Sequence, residues 1–175
     1  MPLPLGHMAI GLLTHEATES QPPASERFKW VLIITVLANL PDVDVVIGLL
    51  VDGNGSLFHR GPTHSLFFAL VAGYLVSVVS QCWRLLPRIR FRTASAVIFS
   101  HVVADVLFTT SPVSFLWPFE LHWSTGYSNL TDVIHSVVFD GFRDLGLVLA
   151  SALLVMLIRL VRGRGLGLPW ARVRS

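Results

Sequence analysis

Four long apolar tracts, interrupted by histidine and aspartate, constrain the fold of this chain more than any other feature. The tracts are residues 30–51, 65–83, 93–117 and 145–161. Only 14% of the 175 residues are charged, against roughly 25% in an average soluble domain. The second and fourth tracts approach the ~20 apolar residues that a membrane-spanning helix needs. The sequence therefore predicts an all-α integral membrane bundle of about four to five membrane helices, the first one short.

Arginines mark the tract ends that are expected to face the cytoplasm. They cluster at residues 84–92 and again at residues 159–174, and cytoplasmic loops have an excess of Lys and Arg. The chain between the two clusters must therefore cross the membrane to the outside and return to the cytoplasmic side. This predicts a multi-pass membrane protein with a cytoplasmic C-terminus. The Arg-rich segments are expected to bind anionic lipid, and no nucleic-acid partner is predicted.

The remaining organisation is simple. Residues 3–13 begin without the basic region of a signal peptide, so we interpret them as a retained first helix. The sequence contains no internal repeat, and one domain over residues 1–175 is predicted, with long connections at residues 52–62 and 111–144. The single cysteine, Cys82, excludes an internal disulfide.

Histidine and aspartate side chains reach a similar depth on four separate segments. At a rise of ~1.5 Å per residue, His101 lies roughly 13 Å and Asp105 roughly 20 Å above the inner boundary. The same measure places His7 roughly 13 Å and Asp42 roughly 20 Å above that boundary, and His64 roughly 30 Å above it, at the outer surface. An ionisable residue inside a membrane is by default a functional-site hypothesis. A shared depth is required for a shared site, although it does not show that the segments are neighbours.

Two short motifs on the apolar tracts have informative spacing. SHVVAD places His101 and Asp105 four residues apart, on one face of a helix, where they could bind an ion or hydrogen-bond a neighbouring helix. In LPDVDVV, Pro41 predicts that the helix ends or kinks. An extended backbone after it would place Asp42 and Asp44 on the same side. The alternative is a helix end with two solvated capping residues.

The motif HRGPTHSL precedes the second tract. Its Gly61-Pro62 pair predicts a turn, and Pro62 suits the first position of the helix that follows. His59 and His64 could then close on an ion from opposite sides of the turn. The alternative is a surface loop with both imidazoles at the head-group level. Arg60 is expected either to bind a phosphate or to anchor the loop at the interface.

Other polar and aromatic residues are given no role in the site. His15 is expected near the inner boundary, away from the cluster. His122 and His135 are expected in a solvated outer loop together with the acidic residues Glu120, Asp132, Asp140 and Asp144. An interfacial aromatic belt, or else the lining of an acyl-chain groove, is indicated by Trp117, Phe119 and Trp123.

Taken in order, these motifs resemble the YdjM-like family of inner-membrane-associated, predicted metal-dependent hydrolases. The match covers about residues 6–120 and comprises a Gly-His pair, PDVDVV, HRGPTHSL, HVVAD followed by LFTTSP, and LWPF. The segment after LWPF reads ELHW and departs from the Ser-Asp expected there, which leaves the role of the outer loop open. The resemblance implies a bacterial or archaeal cytoplasmic (inner) membrane as the location. It also implies a distant relation to zinc-dependent phospholipase C and the P1-type nucleases, and hence phosphoester hydrolysis. The metal ligands that it implies are His7, Asp42, Asp44, His59, His64, His101 and Asp105.

The implied ligand set determines the expected chemistry. Seven candidates exceed the three protein ligands of one catalytic zinc site, so one or two ions are expected. Imidazole and carboxylate ligands without cysteine favour Zn²⁺, with Mn²⁺ or Fe²⁺ as alternatives. An ion there would lower the pKa of water to about 7, with Asp42 or Asp44 as the catalytic carboxylate that orients the water. The expected substrate is a phospholipid-like phosphoester from the outer leaflet of the surrounding membrane lipid.

Two other functions remain open from the sequence. Buried His and Asp residues also serve metal or proton transport. The inner halves of two tracts, residues 75–80 and 153–158, contain no ionisable group, which disfavours a continuous path. A non-enzymatic membrane adaptor would use the same side chains only to hold helices together, and would contain no stoichiometric metal.

Overall fold

The computed structural model describes residues 4–19, 22–56, 58–109, 111–119 and 130–163, with the backbone alone at residues 24 and 130–143. Within these ranges it contains six α-helices and no strand, which confirms the predicted all-α fold. The helices are α1 Pro4–Thr18, α2 Arg27–Ala38, α3 Val43–Asp52, α4 Leu66–Cys82, α5 Phe91–Phe108 and α6 Leu130–Val161.

Length and hydropathy identify the helices that suit a membrane. In the described part of the chain, two are long and apolar enough to cross it: α5 and the Asp144–Val161 part of α6. Helices α2 and α3 pass the same test together but are bent by 52°, as in a broken span or a re-entrant loop. Helix α4 is apolar and has 17 residues. These features agree with a membrane helical bundle of two or three spans, with shorter helices packed beside them.

The bend between α2 and α3 occurs at Pro41, as predicted. A 3-10 helix, Leu40–Asp42, separates the two α-helices, and Pro41 lies at its start. The extended backbone predicted after Pro41 is wrong, because Asp44 already lies in the first turn of α3. Proline fixes φ near −65°, which is compatible with the first turn of a helix. The chain therefore re-enters helical geometry at Val43, with φ −58° and ψ −25°.

Helix α5 is the centre of the bundle, where it packs against α1, α2 and α4. Small residues allow these helices to approach closely, as is common at helix interfaces in membranes. A Cβ atom added at Gly73 of α4 would lie 2.7 Å from the backbone nitrogen of Ser95, and one at Gly11 of α1 would lie 2.6 Å from the Cβ of Ala38. The core consists of Ile34, Leu37, Ala38, Ala69, Ala72, Ile89, Ala94, Val97 and Ile98.

The arginine-rich segments meet at one end of the bundle. Arg159 Nη2 lies 3.0 Å from Glu16 Oε2, and Arg162 donates hydrogen bonds of 2.7 Å to the carbonyl oxygens of Glu16 and Ala17. Near the start of α5, Arg90 Nη1 lies 3.6 Å from a carboxylate oxygen of Glu19. The end of α1, the end of α6 and the segment before α5 therefore lie together. This is the arrangement expected if both arginine clusters face the same side of the membrane.

The predicted outer connection is partly wrong. Residues 130–143 are helical, so α6 begins well before the predicted start at Leu145. Asp144, expected as a solvated loop residue, is buried and its Oδ2 accepts a hydrogen bond of 3.1 Å from the backbone N–H of Gly6. The first N–H groups of a helix have no partner within the helix, and a neighbouring carboxylate can satisfy one. Outside the described residues lie Glu120, His122, Trp123 and the side chains of Asp132, His135 and Asp140.

Candidate metal centre

The seven candidate ligands lie together at the end of the bundle opposite the arginines. Helix α1 contributes His7, the bend between α2 and α3 contributes two aspartates, the HRGPTHSL segment contributes two histidines, and α5 contributes His101 and Asp105. The spacing of four residues places His101 and Asp105 on one buried face of α5, as predicted. Three groups of three residues are close enough to hold a metal ion: His7, His101, Asp105; Asp42, His64, His101; and Asp44, His59, His64.

HRGPTHSL forms a tight loop between α3 and α4. Pro62 starts a 3-10 helix that ends at His64, and Ser65 caps α4 by accepting a hydrogen bond from the N–H of Phe68. Pro62 therefore begins a separate short helix instead of α4 itself. The rings of His59 and His64 lie edge to face with their centroids 5.1 Å apart. The loop thus points both imidazoles into the cluster, as the turn prediction expected.

The most compact group consists of His64, His101 and Asp42. The Nε2 atoms of the two histidines are 3.2 Å apart, and each lies 3.4 Å from Oδ1 of Asp42. Two ligands bound at 2.0–2.1 Å to a tetrahedral zinc ion are separated by about 3.3 Å. The three atoms therefore have the spacing of one face of a coordination tetrahedron.

Hydrogen bonds on the far side of each ring determine which nitrogens face this group. His101 Nδ1 lies 2.7 Å from the carbonyl oxygen of Ala38, which can only accept, so Nδ1 is the donor. His64 Nδ1 lies 3.1 Å from a carboxylate oxygen of Asp44 and donates to it. Both neutral rings consequently direct an Nε2 lone pair at the other ring and at Asp42. Such an arrangement is repulsive unless a cation or a proton lies between them.

The pKa of His64 reflects this need for positive charge. His64 belongs to the short 3-10 helix between α3 and α4, and is fully buried. Burial alone would disfavour its charged form, but hydrogen bonds and charge from Asp42 and Asp44, with further charge from Asp105, raise its pKa to about 9. Without a metal ion, a proton on His64 therefore supplies the charge that the carboxylates require.

A second group, His7, His101 and Asp105, lies beside the first and shares His101 with it. Oδ1 of Asp105 lies 3.5 Å from Nε2 of His7, whereas Oδ2 lies 3.6 Å from Nε2 of His64. The rings of His7 and His101 are stacked with their centroids 3.7 Å apart. Because its two oxygens face different histidines, Asp105 is placed to bridge two cation positions.

Asp44 is surrounded by hydrogen-bond donors. Its Oδ2 accepts hydrogen bonds from the hydroxyl of Thr63 at 2.6 Å and from the backbone N–H of Arg60 at 3.1 Å. Its Oδ1 lies 3.2 Å from Nδ1 of His59, and its Oδ2 also lies 3.1 Å from Nδ1 of His64. A carboxylate that holds the far nitrogen of a ligating imidazole is the usual outer partner in zinc sites. The geometry therefore suits an orienting role for Asp44 better than direct metal ligation.

Several polar atoms of the cluster are buried without a hydrogen-bond partner. Among the described residues, these atoms are both ring nitrogens of His7, Oδ1 of Asp42, Oδ1 of Asp105 and Nε2 of His59. Leaving a buried polar group unsatisfied costs roughly 1–3 kcal/mol. All are atom types that bind zinc or a similar ion, so the residues fit a metal centre.

Arg60 is held at the cluster by both its backbone and its side chain. It has φ +67°, a left-handed conformation that costs an L-residue roughly 1–2 kcal/mol. This conformation allows its N–H to reach Asp44 while its Nε reaches Oδ2 of Asp105 at 3.3 Å. The side chain is only 10% exposed, so Arg60 does not extend outward as an interface anchor.

Two supporting groups were not identified from the sequence. Thr63 lies inside HRGPTHSL, so the motif could have suggested it. The carbonyl oxygen of Ala38 orients His101 through the backbone, which every residue possesses, and therefore has no sequence signal.

The three aspartates and Arg60 leave two net negative charges when the histidines are neutral, and one divalent cation would balance them.

Comparisons with known proteins identify a family and a relative of the chain. The model of a family described as YdjM inner membrane protein matches residues 1–167. The chain is 39% identical over 88 residues to "Inner membrane protein YbcI" of Escherichia coli (strain K12), a match that covers 47% of this chain and 50% of that protein. The chain thus aligns with about half the length of this relative. No solved structure matches the chain.

Proposed function

The chain belongs to the YdjM inner membrane protein family, and on that premise we propose that it is a membrane-bound metal-dependent hydrolase acting on a lipid-like phosphoester. One observation supports the metal centre above all others. Two Nε2 lone pairs, of His64 and His101, and one oxygen of Asp42 converge within 3.4 Å, and the outer nitrogens of both histidines already have their partners. Zinc is the ion that suits this donor set best, with one or two ions per chain.

The chain's own residues prepare the site for hydrolysis. A divalent ion bound there would supply Lewis acidity that activates water at neutral pH. Asp44 and the carbonyl of Ala38 hold the imidazoles of His64 and His101 in the required tautomers. Asp42 is the carboxylate placed to accept a proton from water, because its side chain is 23% exposed whereas those of His64 and His101 are fully buried. The site therefore opens on the side of Asp42.

The substrate class follows from charge and from what flanks the opening. Arg60, bonded to Asp105, places a guanidinium beside the cluster, and guanidinium groups bind phosphate well. Helix α3 starts at the opening and exposes Val46, Ile47 and Leu50, an apolar surface suited to lipid contact. The motif resemblance to zinc-dependent phospholipase C supplies the phosphoester class. We place the opening in the outer leaflet, because the arginines lie at the other end of the bundle.

The test combines metal analysis with a substrate panel. Detergent-purified protein is compared with His64→Ala and Asp105→Ala by elemental mass spectrometry. The three proteins are then assayed on bis-p-nitrophenyl phosphate and on phospholipid vesicles. We expect bound metal and hydrolysis in the wild type and a loss of both in the variants.

Unchanged metal content in both variants would contradict the site. Metal without turnover of any phosphoester would contradict the reaction class, and metal uptake into proteoliposomes would favour transport instead.

Replacing Asp44 by asparagine should weaken metal binding about 10- to 100-fold without abolishing it. The amide keeps the volume of the carboxylate but no longer holds His64 Nδ1 as a charged acceptor, and loss of such outer partners typically has this effect. Competition titration with a zinc chelator measures the change. Thr63→Val, which removes one donor to the same carboxylate, should give a smaller loss. A drop equal to that of His64→Ala would show that Asp44 is itself a ligand.

Metal affinity should depend on pH because the ion displaces the proton from His64. Since the pKa of His64 is raised to about 9, the apparent affinity should rise about tenfold per pH unit between pH 7 and about 8.5 and then level off. In the metal-free protein the raised pKa stabilises the fold fully below pH 6.5, and this contribution is lost as pH rises through about 9. Zinc titrations at several pH values, with measurement of proton release, test this. An affinity that is constant across this range would contradict it.

A further inference from the structure

A groove lies between α1, α2 and α6, beside the arginine-rich end of the bundle. Its volume is about 340 Å³, at the low end of the roughly 300–1,000 Å³ of small-molecule sites. It follows α1 from Met8 to His15, about 10 Å at the helical rise. Its walls are mainly apolar and include Met8, Leu12, Trp30, Ile34, Val148 and Val155.

The polar end of the groove contains a buried imidazole. His15 is 7% exposed and lines the groove, with its ring against Trp30 at 4.8 Å between centroids. Its Nε2 is buried and has no hydrogen-bond partner in the part of the chain that the structure describes. Buried ring nitrogens usually have a polar partner, and His15 is a polar residue that lines the groove at this end.

The charge at this end is positive. Arg27 and Arg159 line the groove near His15. Of the two acidic residues close to His15, Glu16 lines the groove and is bonded to Arg159, whereas Glu19 lies outside the groove and is 3.6 Å from Arg90. Two guanidinium groups thus face one carboxylate. By contrast, the opposite part of the groove is lined by side chains without charge. A ligand that fits both parts has an apolar chain and an anionic head.

We propose that this groove binds one acyl chain of an anionic phospholipid, with the lipid phosphate at His15, Arg27 and Arg159. The Asp144–Val161 part of α6 is apolar, and only 11% of this segment is buried within the protein. The groove therefore opens toward the hydrocarbon of the membrane and would be filled by a lipid chain. The site differs from a surface attraction of the Arg-rich tail, because it requires the buried His15. Its polar end lies at the far end of α1 from His7, and the site does not depend on the proposed metal centre.

The experiment measures lipid retained by the full-length, detergent-purified protein. After exchange into mixed micelles with either phosphatidylglycerol or phosphatidylcholine, native mass spectrometry counts the lipid molecules per chain. We expect one phosphatidylglycerol to be retained in preference to phosphatidylcholine. Ala152→Phe fills the groove and should remove the bound lipid. Leu153→Phe is the matched control, because Leu153 is exposed and does not line the groove, and it should retain the lipid.

A second pair of variants tests the head-group end without altering the packing. Arg27→Gln should reduce the preference for phosphatidylglycerol about fivefold, the effect of one arginine near an anionic lipid. Lys29→Gln, an exposed cation on the same helix but outside the groove, should leave it unchanged. A single gel-filtration peak and a wild-type helical circular dichroism spectrum verify that each variant is folded, so the result does not depend on the metal centre.

Three results would overturn the proposal. The first is equal lipid retention by folded Ala152→Phe and the wild type. The second is equal retention of phosphatidylglycerol and phosphatidylcholine by the wild type, with no effect of Arg27→Gln. The third is a dimer that dissociates in Ala152→Phe, which would show that a second copy of the chain occupies the groove.

Discussion

Replacing His101 by alanine is expected to abolish stoichiometric binding of a divalent ion. Its Nε2 lies 3.2 Å from that of His64 and 3.4 Å from Oδ1 of Asp42, so the variant loses one of the three atoms of the most compact group. Apparent binding free energies of four-ligand zinc sites are about 10–16 kcal/mol. An equal share for one ligand is about 2.5–4 kcal/mol, and the affinity should therefore fall about 60- to 700-fold. Metal content after gel filtration and a chelator competition titration measure the loss.

The matched control for this substitution is His15→Ala. It also removes a buried imidazole from a helix, but at the arginine-rich end of the bundle. It should keep the wild-type metal content. A wild-type metal affinity in a folded His101→Ala protein would show that the convergence of Asp42, His64 and His101 is a helix-packing contact and not a metal centre, as expected of a non-enzymatic adaptor.

A valine at Gly73 is expected to separate α4 from α5 and to disrupt the metal centre as well as the fold. An added Cβ would lie 2.7 Å from the backbone nitrogen and 2.8 Å from the Cα of Ser95, and backbone atoms cannot move aside as a side chain can. Overpacking costs typically 1–3 kcal/mol and occasionally more. At about 3 kcal/mol the midpoint of thermal unfolding should fall by about 6–12 °C. Metal affinity should fall with it, since His64 precedes α4 and His101 lies on α5.

Gly146→Val provides the comparison for Gly73→Val. Gly146 lies on α6, where an added Cβ would meet nothing within 4 Å. The two variants introduce the same side chain into a helix, so a difference between their unfolding temperatures isolates the contact with Ser95. We expect Gly146→Val to remain near the wild-type midpoint. Equal midpoints for both variants would contradict the close approach of α4 and α5.

Some parts of the site could be predicted from local sequence alone. The pair His101 and Asp105 needs only helical periodicity, because residues four apart share a face. The kink at Pro41 needs only the restricted geometry of proline. The backbone after Pro41 was predicted wrongly, since the same restricted geometry also permits a new helical turn. The beginning of α6 was also missed, since residues 130–143 lack the continuous hydropathy that marked the other helices.

The roles of the individual side chains could not be predicted in this way. His59 and His64 are equivalent in the motif, yet Nε2 of His64 faces Asp42 and His101 while His59 contacts Asp44. Asp42 and Asp44 are also equivalent in LPDVDVV. Only the contacts of the HRGPTHSL loop, which enclose Asp44, leave Asp42 as the more exposed carboxylate. Which nitrogen or oxygen faces the cluster depends on partners from other segments of the chain.

The sequence by itself determined the membrane class of the protein, its helical composition and the residues of the candidate site. It could do so because hydropathy and helical spacing are properties of neighbouring residues. The tertiary structure alone decided that four segments meet, that Asp105 lies between two histidine groups, and that Asp144 is buried against α1. These facts depend on how closely helices pack. Small residues such as Gly11 and Gly73 allow that close approach. The linear sequence does not show which residues of other helices pack against them.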